Sequence, residues 1–376
     1  MRGELRFQRR SPNNQVMTEA LKPGSVIGVL GGGQLGRMLS VAASRLGLRT
    51  HIFEPGAEPP AGHVADKVTT ASYEDEAALG SFGEAVDVIT YEFENVPTSA
   101  LDILESLAPI RPGRNALATS QDRLHEKAFL EGLGLTVAPY ANVESLDDLN
   151  AAITEMGCPA ILKTRRFGYD GKGQSRLMSA SDANAAFDDL AGAPAVLEGF
   201  VDFDFEISAI AARSTSGAVA CFDSGRNHHV DGILRTTTVP ASITDEQQAD
   251  AVAAATTILD ALDYVGVLGV EFFVTANGLI VNEIAPRVHN SGHWTQDGCA
   301  VDQFEQHVRA IAGWELGSPT RYADVVMENL IGDEIDTIAT RAQEPNVAVH
   351  SYGKAETKPG RKMGHLNRLT LSLIHI

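Results

Sequence analysis

VEFFVTANGLIVNEI (Val270–Ile284) is two apolar runs joined at Asn277-Gly278, a dipeptide that favours a tight turn, so the stretch predicts a β-hairpin. Each run carries one acid, Glu271 and Glu283. A carboxylate inside an apolar strand is costly unless it is paired or bound to a metal. How the two acids relate depends on the loop. A two-residue Asn-Gly loop pairs Ala276 with Leu279 and sends the acids to opposite faces. A three-residue loop, Ala276 to Gly278, pairs Thr275 with Leu279 and sets Glu271 across from Glu283 on one face, with Cα atoms about 4.5–5.5 Å apart. Like charges at that spacing repel, and a cation between them relieves the repulsion; Mg2+ carrying ATP phosphates is the natural candidate. An acid solvated at a sheet edge is the plainer alternative.

The second run continues into NEIAPRVHNSGHWTQDG (Asn282–Gly298), where Pro286 ends the strand and a loop crowds Arg287, His289, Asn290, His293 and Trp294 together. Polar donors at a strand end mark a candidate site. Arg287 has the planar fork to hold an oxyanion with two hydrogen bonds. His289 and His293 are four apart, but no H-E-x-x-H helix is present, so satisfied loop histidines are expected rather than zinc ligands.

Upstream, KTRRFGYDGKGQ (Lys163–Gln174) reads as a glycine-rich hairpin tip. Gly168, Gly171 and Gly173 let backbone N–H groups close on phosphate oxygens, and Lys163 adds a point charge. A mobile turn with solvated cations is the alternative. It is not a Walker A loop, because G-K-[ST] opening a helix is absent. Downstream, KAETKPGRKMGH (Lys354–His365) gathers Lys354, Lys358, Arg361 and Lys362 in one loop, either a grip for a phosphate monoester or a solvated basic loop.

Near the start, SVIGVLGGGQLGRMLSVAASRLGL (Ser25–Leu48) sets an apolar strand before Gly31, Gly33 and Gly36 in G-x-G-x-x-G spacing, with a helical pattern behind it. Glu54 ends the next strand, where a ribose-binding acid would sit. By itself this is a dinucleotide fingerprint. No hydride-transfer site is evident elsewhere.

The first hundred residues alternate: strand 26–30, helix 34–46, strand 50–54, a short strand at DKVTT, a helix near 74–83 and a strand at 87–93. Such alternation predicts a parallel, doubly wound sheet. A helix carrying SQDRLHEKAFLEGLGL follows. From about 136 the strands read as hairpins and meanders, with one long alanine-rich helix at 245–262, an α+β pattern on antiparallel sheet. Strands near 324–327 and 347–352 precede the basic loop, and RLTLSLIHI then ends the chain with no closing element. Residues 1–16 are patternless and Met17 is a natural start.

The chain has 376 residues, enough for two or three domains, and a formal charge of −19. That charge argues against a nucleic-acid or membrane surface while leaving room for a local cationic pocket. Cys158, Cys221 and Cys299 are far apart and fit a reducing cytoplasm without structural zinc. No apolar run approaches the roughly 20 residues of a membrane span, and no h-region of a signal peptide follows the basic start.

Taken together, GGGQLGRM, TYEFENVP, QDR, FGYDGKGQ, DGILRT, NEIAPRVHNSGHWTQ and PGRKMGHLN, in this order across most of 24–367, resemble the ATP-grasp superfamily and, within it, the 5-(carboxyamino)imidazole ribonucleotide synthases of purine biosynthesis. The resemblance implies an ATP-grasp fold: α/β plus α+β, with an N-terminal doubly wound parallel-sheet domain and a small C-terminal β-rich domain. It divides the chain into an extension (1–16), a pre-ATP-grasp domain (17–118), an ATP-grasp domain (119–312) and an incomplete C-terminal domain (313–376). Family members continue beyond the equivalent of Asn367, so the tail departs from the pattern.

The implied reaction joins ATP, bicarbonate and 5-aminoimidazole ribonucleotide through carboxyphosphate, releasing ADP and phosphate. By resemblance, Arg123, Lys163 and the loop of Gly168, Tyr169, Asp170, Gly171, Lys172, Gly173 and Gln174 bind the ATP phosphates. Glu198, Gly199, Phe200 and Val201 line the adenine edge, Glu206 takes ribose, and His229, Asn282 and Glu283 complete the nucleotide site. Glu271 and Glu283 hold Mg2+, or Mn2+ in its place. Arg287 steadies the carboxyphosphate, and Asp170 and Lys172 act with it. Gln34 and Glu92 from the first domain meet the ribonucleotide, whose phosphate goes to Lys354, Arg361 and Lys362. The glycine turn then faces this substrate rather than a dinucleotide. A cytoplasmic homodimer is the implied assembly, with no nucleic-acid or membrane partner. Rival readings are another ATP-grasp ligase (formate-using or biotin carboxylase-like), a non-catalytic nucleotide-binding fragment, and an NAD-dependent oxidoreductase.

Overall fold

The structure is a computed structural model and describes residues 20–168 and 172–370. The expected alternation at the start folds as β1 (Val26–Leu30), α1 (Gln34–Arg45), β2 (Arg49–Phe53), β3 (Lys67–Thr69), α2 (Glu76–Gly83) and β4 (Val88–Tyr91). The four strands form a parallel sheet in the order β3-β2-β1-β4. β4 is buried along its length, which is why it reads as a continuous apolar run. Leu35, Met38, Leu39, Ala42 and Ala43 give α1 one apolar face against this sheet.

Two short helices, α3 (Thr98–Leu104) and α4 (Arg114–Ser120), lead to α5 (Arg123–Gly132). The helix expected from Ser120 instead starts at Arg123. Asp122 breaks the run and caps α5, its Oδ1 accepting the N–H groups of Leu124 and His125 at 3.0 and 3.4 Å. A four-stranded antiparallel sheet follows, in the order β5-β8-β6-β7: β5 (Tyr140–Val143), β6 (Ala160–Thr164), β7 (Gln174–Leu177) and β8 (Ala195–Gly199). α6 (Leu146–Met156) and α7 (Ala183–Asp189) supply Leu149, Ile153 and Ala186 to its core.

The largest sheet has nine strands among the described residues. They are β9 (Phe205–Arg213), β10 (Val219–Cys221), β11 (Gly225–Val230), β12 (Ile233–Val239), β13 (Gly266–Thr275), β14 (Gly278–Ala285), β15 (Asp324–Ile331), β16 (Val347–Ser351) and β17 (Lys362–Thr370). Their order is β14-β13-β9-β11-β12-β15-β17-β16, with β10 added to β9. α8 (Asp245–Ala261) lays Ala251, Ala254, Ala255 and Ile258 on its face, where small side chains allow close approach. β12 pairs with β15, so the sheet runs unbroken into the C-terminal segment. The basic stretch is a loop only as far as Arg361. From Lys362 it becomes β17, which pairs with both β15 and β16, so the chain does not leave the basic loop without a closing element. No helix of the described residues is long and apolar enough to cross a membrane.

α10 (Gln303–Ile311), which follows the short α9 (Thr295–Gly298), ties the parallel sheet to the large one through a buried imidazole. His307 Nδ1 accepts the N–H of Val267 at 3.0 Å, and Nε2 meets Thr90 Oγ1 at 2.8 Å. That pattern needs the neutral ring, and burial drives its pKa down to about 3. The unfolded ring binds a proton below 6.5, whereas the folded one stays neutral down to about 3. Its stabilisation is complete above pH 6.5 and is lost on acidification, at about 1.4 kcal/mol per pH unit. NMR of the His307 ring is expected to show the neutral form still at about pH 5; titration at the ordinary histidine pKa would contradict the staple.

Candidate active site

The decisive hairpin forms, but its register has a different origin from the one expected. Thr275 pairs with Gly278, so the turn is the two residues Ala276 and Asn277, with Gly278 at φ +117. Continued unbroken, that register would set Glu271 against Asn282 and turn Glu283 to the far face. A β-bulge intervenes: Phe272 pairs with Val281 and Glu271 with Glu283, leaving Asn282 as the extra residue. The acids therefore do sit opposite each other, through a bulge rather than a three-residue loop.

Their surroundings differ. Glu271 is 9% exposed, and its nearest basic group is His289 Nε2 at 3.6 Å. Burial, and then the charge of Glu283, push its carboxyl well above the usual range. Burial raises Glu283 too, but Arg123 and Lys163 outweigh it and hold the group low. Arg123 Nη1 donates to Glu283 Oε2 at 3.0 Å. Glu206 Oε2 meets His229 Nδ1 at 2.7 Å. Ligand atoms of Glu206, His229 and Glu271 lie within 4.8 Å of one another. An acid forced towards its neutral form beside hard oxygen donors is a site short of positive charge, and carboxylate oxygens suit Mg2+.

A cleft of about 1640 Å³ opens in front of these groups. Its lining includes Arg123, Lys163, Gly168, Lys172, Gln174, Glu206, His229 and Asn282. Gly173, Glu198, Gly199, Phe200 and Val201 do not line it. Tyr169, Asp170 and Gly171 lie outside the described residues. The Glu198 side chain turns beneath the wall, where its Oε2 accepts from Lys163 Nζ at 2.9 Å and its Oε1 lies 3.4 Å from Lys127 Nζ. Phe203 stacks on Phe273 with ring centroids 4.6 Å apart, and both line the cleft. Such rings offer a flat apolar face to a planar base. Sequence reasoning missed this pair, although the alternation in VDFDFEI was a signal for it.

The same cleft is lined by Gln34, Glu92, Arg287, Lys354, Arg361 and Lys362. Arg287 Nη2 pairs with Glu94 Oε1 at 2.6 Å, and Nη1 donates to the carbonyl of Val288 at 3.0 Å. Lys354 Nζ donates to the carbonyl of Lys362 at 2.6 Å, which folds the basic loop onto the start of β17. Glu94 was not anticipated; it stands in TYEFENVP, two residues from Glu92.

The glycine turn holds no room for a pyrophosphate. Glu92 accepts the N–H of Gly33 and, at 2.6 Å, that of Gly36, while Glu54 accepts the N–H of Gly32 at 2.9 Å. A Cβ on Gly33 would lie 2.5 Å from Glu92 Oε1, and one on Gly31 2.5 Å from Glu92 Cγ. These glycines make way for an internal carboxylate.

Three family models match the chain. They are a ribonucleotide synthetase preATP-grasp domain over residues 25–121, an ATP-grasp domain over 128–304, and a phosphoribosylaminoimidazole carboxylase C-terminal domain over 325–373. The N5-carboxyaminoimidazole ribonucleotide synthase of Brucella melitensis biotype 1 is 54% identical over 353 residues, which cover 93% of this chain and 98% of that one. The Bacillus subtilis enzyme of the same name is 41% identical, with 93% and 92% covered. Among solved structures, an ADP complex of an N5-carboxyaminoimidazole ribonucleotide synthetase matches with a TM-score of 0.91 at 42% identity, covering 95% of each chain. The Aspergillus clavatus enzyme in complex with ADP and 5-aminoimidazole ribonucleotide matches with 0.88 at 30% identity, covering 94% and 95%.

Proposed function

Because the chain belongs to the N5-carboxyaminoimidazole ribonucleotide synthase family of ATP-grasp ligases, its reaction is the ATP-dependent carboxylation of 5-aminoimidazole ribonucleotide in purine biosynthesis, and we propose how its residues carry that reaction out. The observation that supports the scheme best is the cleft itself. It brings Arg123, Lys163 and the facing acids Glu271 and Glu283 into one lining with Arg287, Lys354, Arg361 and Lys362.

In this reading Arg123, Lys163 and the 168–174 segment bind the ATP phosphates. The 198–201 segment takes the adenine edge, with Glu206 on ribose and His229 and Asn282 beside it. Glu271 and Glu283 would hold Mg2+, or Mn2+, which supplies Lewis-acid charge to the phosphate oxygens when bound. Bicarbonate, a poor electrophile, attacks the γ-phosphorus, ADP leaves, and carboxyphosphate forms. The Arg287 fork steadies its developing charge. The ribonucleotide amine then forms a bond to the carboxyl carbon as the carbon–oxygen bond to phosphate breaks, its proton passing to the departing phosphate, and Asp170 and Lys172 are assigned to this step. Lys354, Arg361 and Lys362 hold the 5′-phosphate, and Gln34 and Glu92 meet the rest of the substrate. A cytoplasmic homodimer belongs to the same proposal; the free thiols of Cys158, Cys221 and Cys299 are in keeping with a reducing compartment.

The test is initial-rate ADP release with ATP, bicarbonate and ribonucleotide varied in turn. Release is expected to need both co-substrates; formate replacing bicarbonate would favour a transformylase instead. Arg361→Ala is expected to raise the KM for ribonucleotide about 10- to 100-fold, the worth of one charge-assisted contact, with the KM for ATP little changed. Equal rises in both constants would remove the phosphate grip from the scheme.

A further inference from the structure

Glu126 and Lys127 are 3% and 1% exposed and have no part in the scheme above. They stand on α5, one turn on from Arg123, and reach β14. β14 is an edge strand of the nine-stranded sheet. An edge leaves backbone N–H and C=O groups without ladder partners, and a bulge adds one unpaired residue. Here those groups are met by side chains. Glu126 Oε1 accepts the N–H of Ile284 at 2.7 Å. Lys127 Nζ donates to the carbonyl of Asn282, the bulge residue, at 3.5 Å. Glu283 lies between the two, with its own carboxylate taken by Arg123 of the same helix. Lys127 Nζ also lies 3.4 Å from Glu198 Oε1, which ties the same ammonium to the partner of Lys163.

The bulge decides which face Glu283 takes, so whatever fixes the bulge fixes the acid pair. We propose that Glu126 and Lys127 are positioning residues: from α5 they lock the bulge at Asn282, hold Glu283 on the face of Glu271, and so set the affinity for the divalent metal. This rests on the reading of Glu271 and Glu283 as metal ligands.

The test compares Glu126→Leu, Glu126→Gln, Lys127→Met and Glu283→Gln by Mg2+ titration, read both as ADP release and as calorimetric binding of ADP with Mg2+. Glu126→Leu and Lys127→Met are expected to raise the Mg2+ midpoint about 10- to 100-fold, as loss of groups that orient metal ligands does, with the KM for ribonucleotide unchanged. Glu126→Gln keeps an oxygen for the Ile284 N–H and is expected to stay near the parent. A lowered Tm with an unmoved Mg2+ midpoint would show a purely structural role and overturn the proposal. A midpoint that moves in Glu283→Gln alone overturns the clamp and leaves the metal assignment standing. One that moves in none of the four overturns the metal assignment and the clamp with it. If Glu126→Leu fails to fold, Glu126→Asp, which withdraws the carboxylate by one methylene, serves in the same comparison.

Discussion

Glu283→Gln is expected to lower kcat by roughly 10²- to 10³-fold, about 3–4 kcal/mol of transition-state stabilisation. The replacement keeps the shape of the side chain and an oxygen for Arg123, whose Nη1 now donates to Oε2 at 3.0 Å. It removes only the negative charge. Glu283 is the acid of the pair that Arg123 and Lys163 hold in its anionic form, so it is the stronger ligand for a cation. Its side chain keeps 40% exposure within the cleft, and Arg123 keeps 20%. A partly solvated pair of this kind contributes little to folding, so the Tm should change far less than the rate. Turnover near that of the parent at every Mg2+ concentration would remove the metal from this hairpin.

Arg287→Lys ranks next, with an expected fall of about 10²-fold in kcat/KM for bicarbonate and little change in the KM for ATP. Arg287 already spends one terminal nitrogen on Glu94 at 2.6 Å and the other on the carbonyl of Val288 at 3.0 Å. Its Nε is buried without a hydrogen-bond partner among the described residues. Glu94 fixes the plane of a guanidinium that lines the cleft, and its delocalised charge suits a planar oxyanion. An ammonium cannot hold Glu94 and present a second directed donor from the same rigid plane. Steady-state rates with bicarbonate varied at saturating ATP give the answer; an unchanged constant would move the oxyanion elsewhere.

Period and punctuation made much of this fold legible. The apolar run at β4, the apolar stripe of α1 and the Asn-Gly dipeptide each placed an element. The facing of Glu271 and Glu283 was read correctly on mistaken grounds, because a bulge at Asn282 shifts a register as a longer loop does, and no residue type announces it. β17 was hidden by its own chemistry: Lys362, His365, Asn367 and Arg368 look like a solvated loop, yet strands on both sides bury His365 and Asn367 completely. Glu126 and Lys127 were passed over because charges on a helix usually face water, and only the fold shows that this face of α5 points inward. The adenine assignment of Glu198 to Val201 came from family position alone, and no residue pattern signals that the Glu198 side chain turns towards two lysines.

Glu92, at the end of the neighbouring strand β4, reaches the amides of Gly33 and Gly36. A carboxylate carried on the same chain competes at an effective concentration that dissolved nucleotides, at about millimolar, do not approach. Any dinucleotide entering this turn would first have to evict a side chain that cannot diffuse away. The chain therefore keeps the backbone of a nucleotide-binding turn with its own side chains already seated in it.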